Sequence, residues 1–142
     1  MGGCDAAMNI AKMMIPASLT VTLTETATVK EGMALMRERG FTAIPVLNAA
    51  GQYLGSVTEG DFLRHVMEVG TLDPEIHSCF QVGSIYRRDF CPPLGIDAPL
   101  EQVIDTALRQ NFIPIVDGRN ALCGIVTRRA VIAELAQLVC HT

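Results

Sequence analysis

The chain has 142 residues, of which 49% are hydrophobic, 18% charged and 5% aromatic. This length fits one domain or two half-size units that share a core, and the apolar content excludes intrinsic disorder. The net charge of −4 is untypical of nucleic-acid-binding proteins, and no apolar run approaches the roughly 18–20 residues of a membrane span, so we expect a soluble cytoplasmic protein without nucleic-acid or membrane partners.

The first predicted elements form a β-α-β-β-α unit. After a helical lead-in from residue 10, residues 19–23 predict a short strand. A helix follows, because Thr28 and Glu31 have the spacing of a capping box and Gly40 is a typical helix end. The apolar segments AIPVL and YLGSV flank a turn-rich stretch and predict a hairpin. A second helix is expected from Thr58 to about residue 69.

The same order of elements recurs further along the chain. Residues 44–63 align with residues 113–132 without a gap, so that Gly55 matches Gly124 and Thr58 matches Thr127. The pattern places one repeat at 10–70, a linker at 71–82 and a second repeat at 83–140. One such unit leaves a sheet face open, whereas two copies can cover each other about a pseudo-twofold axis. We therefore predict an α/β (α+β) fold of two β-α-β-β-α repeats.

The start of the second helix in each repeat is a candidate binding site. A threonine there places its hydroxyl beside free backbone N–H groups, where an anion is favoured. Asp61 can accept two hydrogen bonds from a ribose diol, and Arg128 and Arg129 can donate charged hydrogen bonds to phosphate. The same spacing also fits simple helix capping at Thr58 and Asp61, and the arginines also fit solvated surface residues.

The remaining reactive side chains do not indicate an enzyme. The five cysteines are an odd number without C-x-x-C spacing, which is typical of reduced thiols. The three histidines lack metal-ligand spacing with one another. No paired carboxylates, nucleophile–base arrangement or glycine-rich phosphate loop occurs at catalytic spacing. We therefore expect no metal, no cofactor and no catalytic residues.

The repeated motifs resemble a known family. The residues that carry this resemblance are the strands Ile44-Pro45-Val46 and Ile113-Pro114-Ile115 and the segment GSVTEGD at 55–61, which ends in a T-x-x-D turn. With these motifs the chain looks like a tandem cystathionine-β-synthase (CBS) domain pair. The resemblance covers roughly residues 10–140, and the chain resembles the small stand-alone CBS-pair proteins of bacteria. The segments GFTAIPV and GIVTRRAVI are similar to those of the subset that senses cyclic di-AMP.

The resemblance implies an adenosine-containing nucleotide (AMP, ADP, ATP or cyclic di-AMP) in clefts between the repeats. Strands of one repeat would hold adenine, and the threonine turn of the other would hold ribose and phosphate. The first implied cleft combines Leu19, Val21, Thr42, Ala43 and Ile44 with Thr127, Arg128 and Arg129. The second combines Leu94, Phe112 and Ile113 with Thr58 and Asp61.

The two implied clefts are not equivalent, because Ala130 stands where the first repeat has Asp61. The first cleft is therefore expected to favour a phosphate-rich ligand or a cyclic dinucleotide. The leading interpretation is a regulatory module that binds a nucleotide, signals to an unidentified partner protein and forms a homodimer through the helices at 59–69 and 128–139. The alternative is a ligand-independent dimerisation or interaction scaffold with degenerate sites.

Overall fold

The computed structural model describes residues 10–140 of the chain. In chain order its helices and strands are α1 (Ile10–Met13), β1 (Ile15–Pro16), β2 (Leu23–Thr24), α2 (Val29–Arg39), β3 (Ala43–Leu47), β4 (Tyr53–Thr58), α3 (Glu59–Val69), α4 (Pro74–His77), β5 (Leu94–Gly95), α5 (Leu100–Arg109), β6 (Phe112–Val116), β7 (Leu122–Thr127) and α6 (Arg128–Cys140). This is the mixed α/β class that the sequence predicts. No helix of the described residues is long and apolar enough to cross a lipid bilayer.

The chain divides into two compact units. Val21–Phe90 forms one, here called the first-repeat unit. Residues 10–20 and 91–140 belong to the other, here called the second-repeat unit. The segment expected to link the repeats, 71–82, is thus part of the first-repeat unit, and the helical lead-in is part of the second. The sequence does not show which unit these two segments join, because that depends on contacts between segments that are distant in sequence.

The first-repeat unit is built on a sheet of order β2-β3-β4. Helix α2 begins at Thr28, whose hydroxyl accepts a hydrogen bond from the Glu31 amide at 3.0 Å, while the Thr28 amide donates to the Glu31 carboxylate at 2.8 Å. It ends at Gly40, whose φ of 69° is the left-handed conformation that favours glycine. The capping box, the helix and the β3–β4 hairpin are therefore confirmed. Helix and sheet enclose a core that contains Val29, Ile44, Val46, Val57, Phe62 and Val82.

The strand predicted over residues 19–23 is wrong in its bounds. Only Leu23 and Thr24 form the strand, because they alone pair in parallel with Val46 and Leu47 at the end of β3. Leu19 instead ends a 3-10 helix that spans Ala17–Leu19. The β-branched composition of this segment favours extended backbone locally, but no residue before Leu23 pairs with β3, and Pro45, which precedes Val46 in β3, has no N–H to donate.

The segment after α3 packs against its own repeat. Asp73 caps α4 through a hydrogen bond from the Glu75 amide. The Val29 amide donates to the Phe80 carbonyl at 2.8 Å, and Val82 is fully buried. Arg87 then pairs in antiparallel fashion with Ser56 on the free edge of β4. Residues 71–90 are thereby an integral part of the first-repeat unit.

The second-repeat unit repeats this plan with a sheet of order β1-β7-β6-β5. The lead-in strand β1 pairs Ile15 with Ile125 and Pro16 with Gly124, so it covers the edge of β7 as Arg87 covers the edge of β4. Ile10 and Met13 of α1 join the core of this unit, which also contains Val103, Ile113, Ile115, Val126 and Val131. The predicted hairpin and both flanking helices of the second repeat are confirmed.

Candidate functional site

The start of α3 is organised by a capping box between Thr58 and Asp61. The Thr58 hydroxyl accepts a hydrogen bond from the Asp61 amide at 3.2 Å. The Thr58 amide and hydroxyl both lie within hydrogen-bonding distance of Asp61 Oδ2, at 2.8 and 2.9 Å. The capping role that the spacing allows is thus present at this turn. The turn is anchored to β3 by the Glu59 amide, which donates to the Thr42 carbonyl at 3.1 Å.

Asp61 also holds two arginines. Arg64 Nη2 donates to Asp61 Oδ1 at 2.6 Å, and Arg87 Nε donates to the same oxygen at 3.0 Å. The Asp61 side chain is only 3% exposed, whereas those of Arg64 and Arg87 are 52% and 45% exposed. The Arg87 guanidinium lies 5.9 Å from the centre of the Phe90 ring. A buried carboxylate therefore holds two half-exposed guanidinium groups beside the start of α3.

The candidate adenine-binding residues of the first-repeat unit follow strand β3. Ile44 is fully buried, Ala43 is half-buried opposite Thr58 in the hairpin, and Thr42 is exposed just before the strand. Val21 is partly buried against the core of the same unit. Ala43 and Thr42 thus lie beside the Thr58 turn, whereas Ile44 contributes to the core.

The start of α6 carries the corresponding turn of the second-repeat unit. The Thr127 hydroxyl accepts a hydrogen bond from the Ala130 amide at 3.1 Å. Arg128 folds back toward α5, where its Nε donates to the Ala107 carbonyl at 2.7 Å and its Nη2 to the Leu108 carbonyl at 3.3 Å. A cation at this position complements the negative end of the helix dipole. Arg129 is exposed and has no hydrogen bond or ion pair within residues 10–140.

The other candidates of the second-repeat unit differ in exposure. Leu19 is 75% exposed, whereas Ile113 is fully buried and Leu94 is 8% exposed. Phe112 is half-buried at the start of β6, opposite Thr127. Ile113 and Leu94 therefore pack in the core of their unit, and Phe112 is the candidate that lies beside the turn.

Two buried histidines lie further along α3. The rings of His65 and His77 pack in a T-shaped arrangement at a centroid distance of 5.2 Å, and the centre of the Phe80 ring lies 4.7 Å from that of His65. Within the described residues, His65 Nε2 and His77 Nδ1 have no hydrogen-bond partner. Burial lowers the pKa of His65, and the nearby His77 lowers it further, while Glu68 partly opposes the shift. The folded protein thus favours neutral His65.

Stability is expected to fall as the pH drops below about 6.5, the ordinary histidine pKa. The unfolded chain then binds a proton that the folded state resists, and the loss continues until the pH reaches the lowered pKa of His65. Urea unfolding of the wild type and His65→Leu between pH 8 and pH 5 measures this dependence. If the free energy of unfolding fell with pH equally steeply in the wild type and in His65→Leu, neutral His65 would not be the cause of the pH dependence.

Two thiols of the described residues are held in the protonated form. Burial raises the pKa of the Cys91 thiol to about 11 and also raises the pKa of Cys123, which disfavours the nucleophilic thiolate. No group of three or more potential metal ligands comes together within residues 10–140. Cys4 and His141 lie outside the described residues.

The structure adds two arginines to the candidate site, Arg64 and Arg87. Arg64 follows Asp61 by three positions, a spacing that predicts a helical ion pair. Arg87 reaches Asp61 only because residues 80–90 return to the edge of β4, and no local pattern indicates that pairing.

Comparisons with known proteins agree with this architecture. The family model described as CBS domain matches residues 12–68 and 82–137. The glycine betaine/carnitine/choline transport ATP-binding protein OpuCA of Bacillus subtilis (strain 168) is 27% identical over 114 residues, which cover 79% of this chain and 27% of OpuCA. The chain thus spans about a quarter of the length of that curated relative.

Solved structures show the same fold at low sequence identity. CbpB in complex with c-di-AMP is similar with a TM-score of 0.86 and 19% identity, over 95% of this chain and 89% of CbpB. CBSX2 in complex with AMP is similar with a TM-score of 0.73 and 22% identity, over 92% of this chain and 97% of CBSX2. At these identities the likeness establishes the fold alone.

Proposed function

Because the chain belongs to the CBS domain family, with two CBS domains in tandem, we propose that it is a regulatory module that binds an adenosine-containing nucleotide. The observation that carries the proposal is the pair of threonine turns at Thr58 and Thr127. Each opens a long helix and has arginine side chains beside it. Backbone N–H groups at a helix start and guanidinium groups both favour phosphate.

The charged groups beside the two turns differ. In the first-repeat unit, Arg64 and Arg87 are held by Asp61. In the second-repeat unit, Ala130 replaces the aspartate, Arg128 is bound to carbonyls of α5, and Arg129 has no partner within the described residues. We propose that Arg129 and the Thr127 hydroxyl contact ligand phosphate there, while Arg128 fixes the start of α6. Unequal turns of this kind favour a ligand with more than one phosphate, such as ATP or cyclic di-AMP.

The ligand classes are supported by the similar structures, since CbpB is described with c-di-AMP and CBSX2 with AMP. Small residues beside the Thr58 turn, such as Ala43 on β3, leave room for a base to approach the backbone. Binding would act by shifting the population of conformations that contact a partner protein in the cytoplasm, rather than by catalysis.

A thermal-shift screen with AMP, ADP, ATP, S-adenosylmethionine and cyclic di-AMP tests the proposal. At 100 times its dissociation constant, a ligand that binds only the folded state adds about 2.7 kcal/mol to the free energy of unfolding. We expect at least one nucleotide to raise the melting temperature, and Arg129→Gln to reduce that shift. No shift with any of the five would favour the ligand-independent scaffold.

We further propose that the module is a homodimer. Helix α3 exposes 68% of Leu63 and 82% of Met67, and α6 exposes 60% of Ile132. In the first-repeat unit, Leu63 lines an apolar groove of about 450 Å³ together with Phe41 and Phe62. In the second-repeat unit, Ile132 lines a similar groove of about 320 Å³ with Leu108. Exposed apolar surface on corresponding helices suits a symmetric interface.

Replacing Leu63 and Ile132 together by glutamate is expected to convert the dimer into a monomer. Each chain would then have to bury two carboxylates in the apolar dimer interface. Light scattering after size exclusion measures the mass. Leu72→Glu is the control, since Leu72 is 81% exposed but lies outside both helices. A wild-type mass of one chain would contradict the proposal, as would a double variant that remains dimeric.

A further inference from the structure

We propose that His77 acts as a pH-sensitive latch for residues 71–79, here called the flap. While His77 and His65 are neutral, their packing holds the flap on α3, and protonation of either ring releases it. The release is local, so the rest of the first-repeat unit keeps its fold. The inference goes beyond nucleotide binding and does not depend on it.

The flap is held in place by side-chain packing rather than by hydrogen bonds to the rest of its unit. Within the described residues, each hydrogen bond of residues 71–79 joins two members of the flap, such as the Ser78 amide and the Pro74 carbonyl. The first bond to another element follows the flap, where the Phe80 carbonyl accepts from the Val29 amide at 2.8 Å. The hydrogen bonds therefore fix the shape of the flap but not its position.

His77 is the one buried side chain among residues 71–79. It is 3% exposed, whereas Leu72 is 81% and Ile76 is 38% exposed. Its ring packs on the buried ring of His65, and the Phe80 ring, just after the flap, packs on His65 as well. The contact that keeps the flap closed thus consists of two titratable rings.

The hydrogen bonds of the pair suit neutral rings. His77 Nε2 donates to the Thr71 carbonyl at 2.7 Å, so Nδ1 of the neutral ring is the nitrogen that carries the lone pair. Nδ1 is buried and has no partner within the described residues, and the same is true of His65 Nε2. A proton on His77 Nδ1 would create a buried cation with an unpaired N–H, which is costly until water can reach it.

The charged groups around the pair offer little compensation for such a cation. The titratable and charged residues that line the groove beside His77 or lie near the two histidines in sequence are Lys30 and Arg37 on α2, Arg64 and Glu68 on α3, and Asp73, Glu75 and Cys79 in the flap. Lys30 and Arg37 are cations and oppose further positive charge. Glu68 raises the pKa of His65, but less than burial and His77 lower it.

The carboxylates of the flap do not neutralise its histidine. Asp73 and Glu75 are exposed, and the Asp73 carboxylate accepts a hydrogen bond from the Glu75 amide at 3.0 Å. Within the described part of the chain, neither forms an ion pair with His77. The open flap therefore binds a proton more tightly than the closed one, and opening is favoured as the pH falls through about 6.5, the ordinary histidine pKa.

The histidine pair belongs to the first repeat alone. At the repeat offset of 69, the counterpart of His65 is Glu134 on α6. Glu134 forms an ion pair with Lys12 of the lead-in helix α1 at 3.5 Å. The second-repeat unit thus secures the covering segment with opposite charges, whereas the first-repeat unit uses two rings that must stay neutral.

Amide hydrogen exchange, measured by mass spectrometry at pH 7.5 and pH 5.5, tests the latch. A four-residue helix such as α4 is not stable once released, so the amides of residues 76–79 lose protection when the flap opens. Relative to intrinsic exchange at each pH, we expect their protection to fall about tenfold at pH 5.5, the effect of one histidine. The amides of β3 and β4 are expected to keep their protection.

His77→Phe keeps an aromatic ring that cannot be protonated, and its flap is expected to stay protected at both pH values. Leu72→Ala is the matched control, because Leu72 also lies in the flap but is exposed, and it is expected to show the wild-type dependence on pH. Circular dichroism checks that each variant is folded. If His77→Phe loses protection already at pH 7.5, His77→Gln, which keeps an N–H for the Thr71 carbonyl, provides the second comparison.

Four results would overturn the inference. The first is a wild-type flap that is unprotected at pH 7.5 or equally protected at both pH values. The second is a neutral variant at position 77 that is protected at pH 7.5 and still opens at pH 5.5. The third is loss of protection at pH 7.5 in both variants, since neutrality at position 77 would then not hold the flap. The fourth is an equal fall in the protection of β3 and β4, which would indicate unfolding of the whole unit.

Discussion

Asp61→Ala is expected to destabilise the first-repeat unit by about 2–4 kcal/mol, the largest effect of any exchange of a charged residue at the candidate site. The variant removes the carboxylate that closes the capping box with Thr58 and receives Arg64 and Arg87. Because Asp61 is buried, the Thr58 amide loses its partner in a place with little water. Both arginines are half exposed and regain hydration, which limits the loss.

Urea denaturation at neutral pH measures this change, with Asp105→Ala as the control. Asp105 also pairs with an arginine, Arg109, at 2.7 Å, but both side chains are at least 60% exposed. Removing that pair is expected to cost less than about 1 kcal/mol. If Asp61→Ala were as mild as Asp105→Ala, the carboxylate would not organise the turn.

Gly55→Ala is expected to cost about 3–5 kcal/mol, because it acts on the backbone pairing that brings Arg87 to Asp61. Gly55 has a φ of 156°, which residues with side chains rarely adopt, and an added Cβ would collide with the Arg87 carbonyl oxygen. Relief of that collision requires residues 87–88 to leave the edge of β4. The Ser56–Arg87 hydrogen bonds and the contact of Arg87 with Asp61 would then be lost together.

Gly60→Ala is the control for this exchange. Its Cβ would lie 3.7 Å from the Thr58 hydroxyl oxygen, an ordinary contact, and Gly60 lies in the first turn of α3. Alanine in a helix is favoured over glycine by about 0.5–1 kcal/mol, so this variant is expected to be at least as stable as the wild type. Thermal unfolding of both variants gives the comparison, and a Gly55→Ala protein with wild-type stability would show that the edge pairing is dispensable.

The fold could be predicted from the sequence wherever local rules decide it. Thr28 and Glu31 begin α2, Gly40 ends it, and the repeated hairpins follow from short β-rich segments around turns. The β-rich composition around Leu19 predicts a strand, yet strand length depends on the partner, and only Leu23 and Thr24 pair with β3. Local composition does not contain that information.

The candidate site could be predicted only in part, for the same reason. Thr58 and Asp61 are recognisable from their spacing, and so are Arg128 and Arg129. The sequence does not show that Arg128 is used by the end of α5, nor that Arg87 reaches Asp61 across 26 positions. These contacts depend on how residues 80–90 and α5 pack within their units. They also make Asp61 the anchor of two arginines, which its spacing alone does not predict.

Equilibrium dialysis of the wild-type protein against AMP, ATP and cyclic di-AMP tests nucleotide binding itself, because it measures bound nucleotide without reference to stability or to a partner. We expect saturable binding of at least one of these nucleotides, with its affinity reduced by Arg129→Gln. The absence of saturable binding by all three nucleotides at concentrations up to about 1 mM would contradict the proposed nucleotide binding. A dissociation constant of about 1 mM corresponds to a dissociation free energy of about 4 kcal/mol.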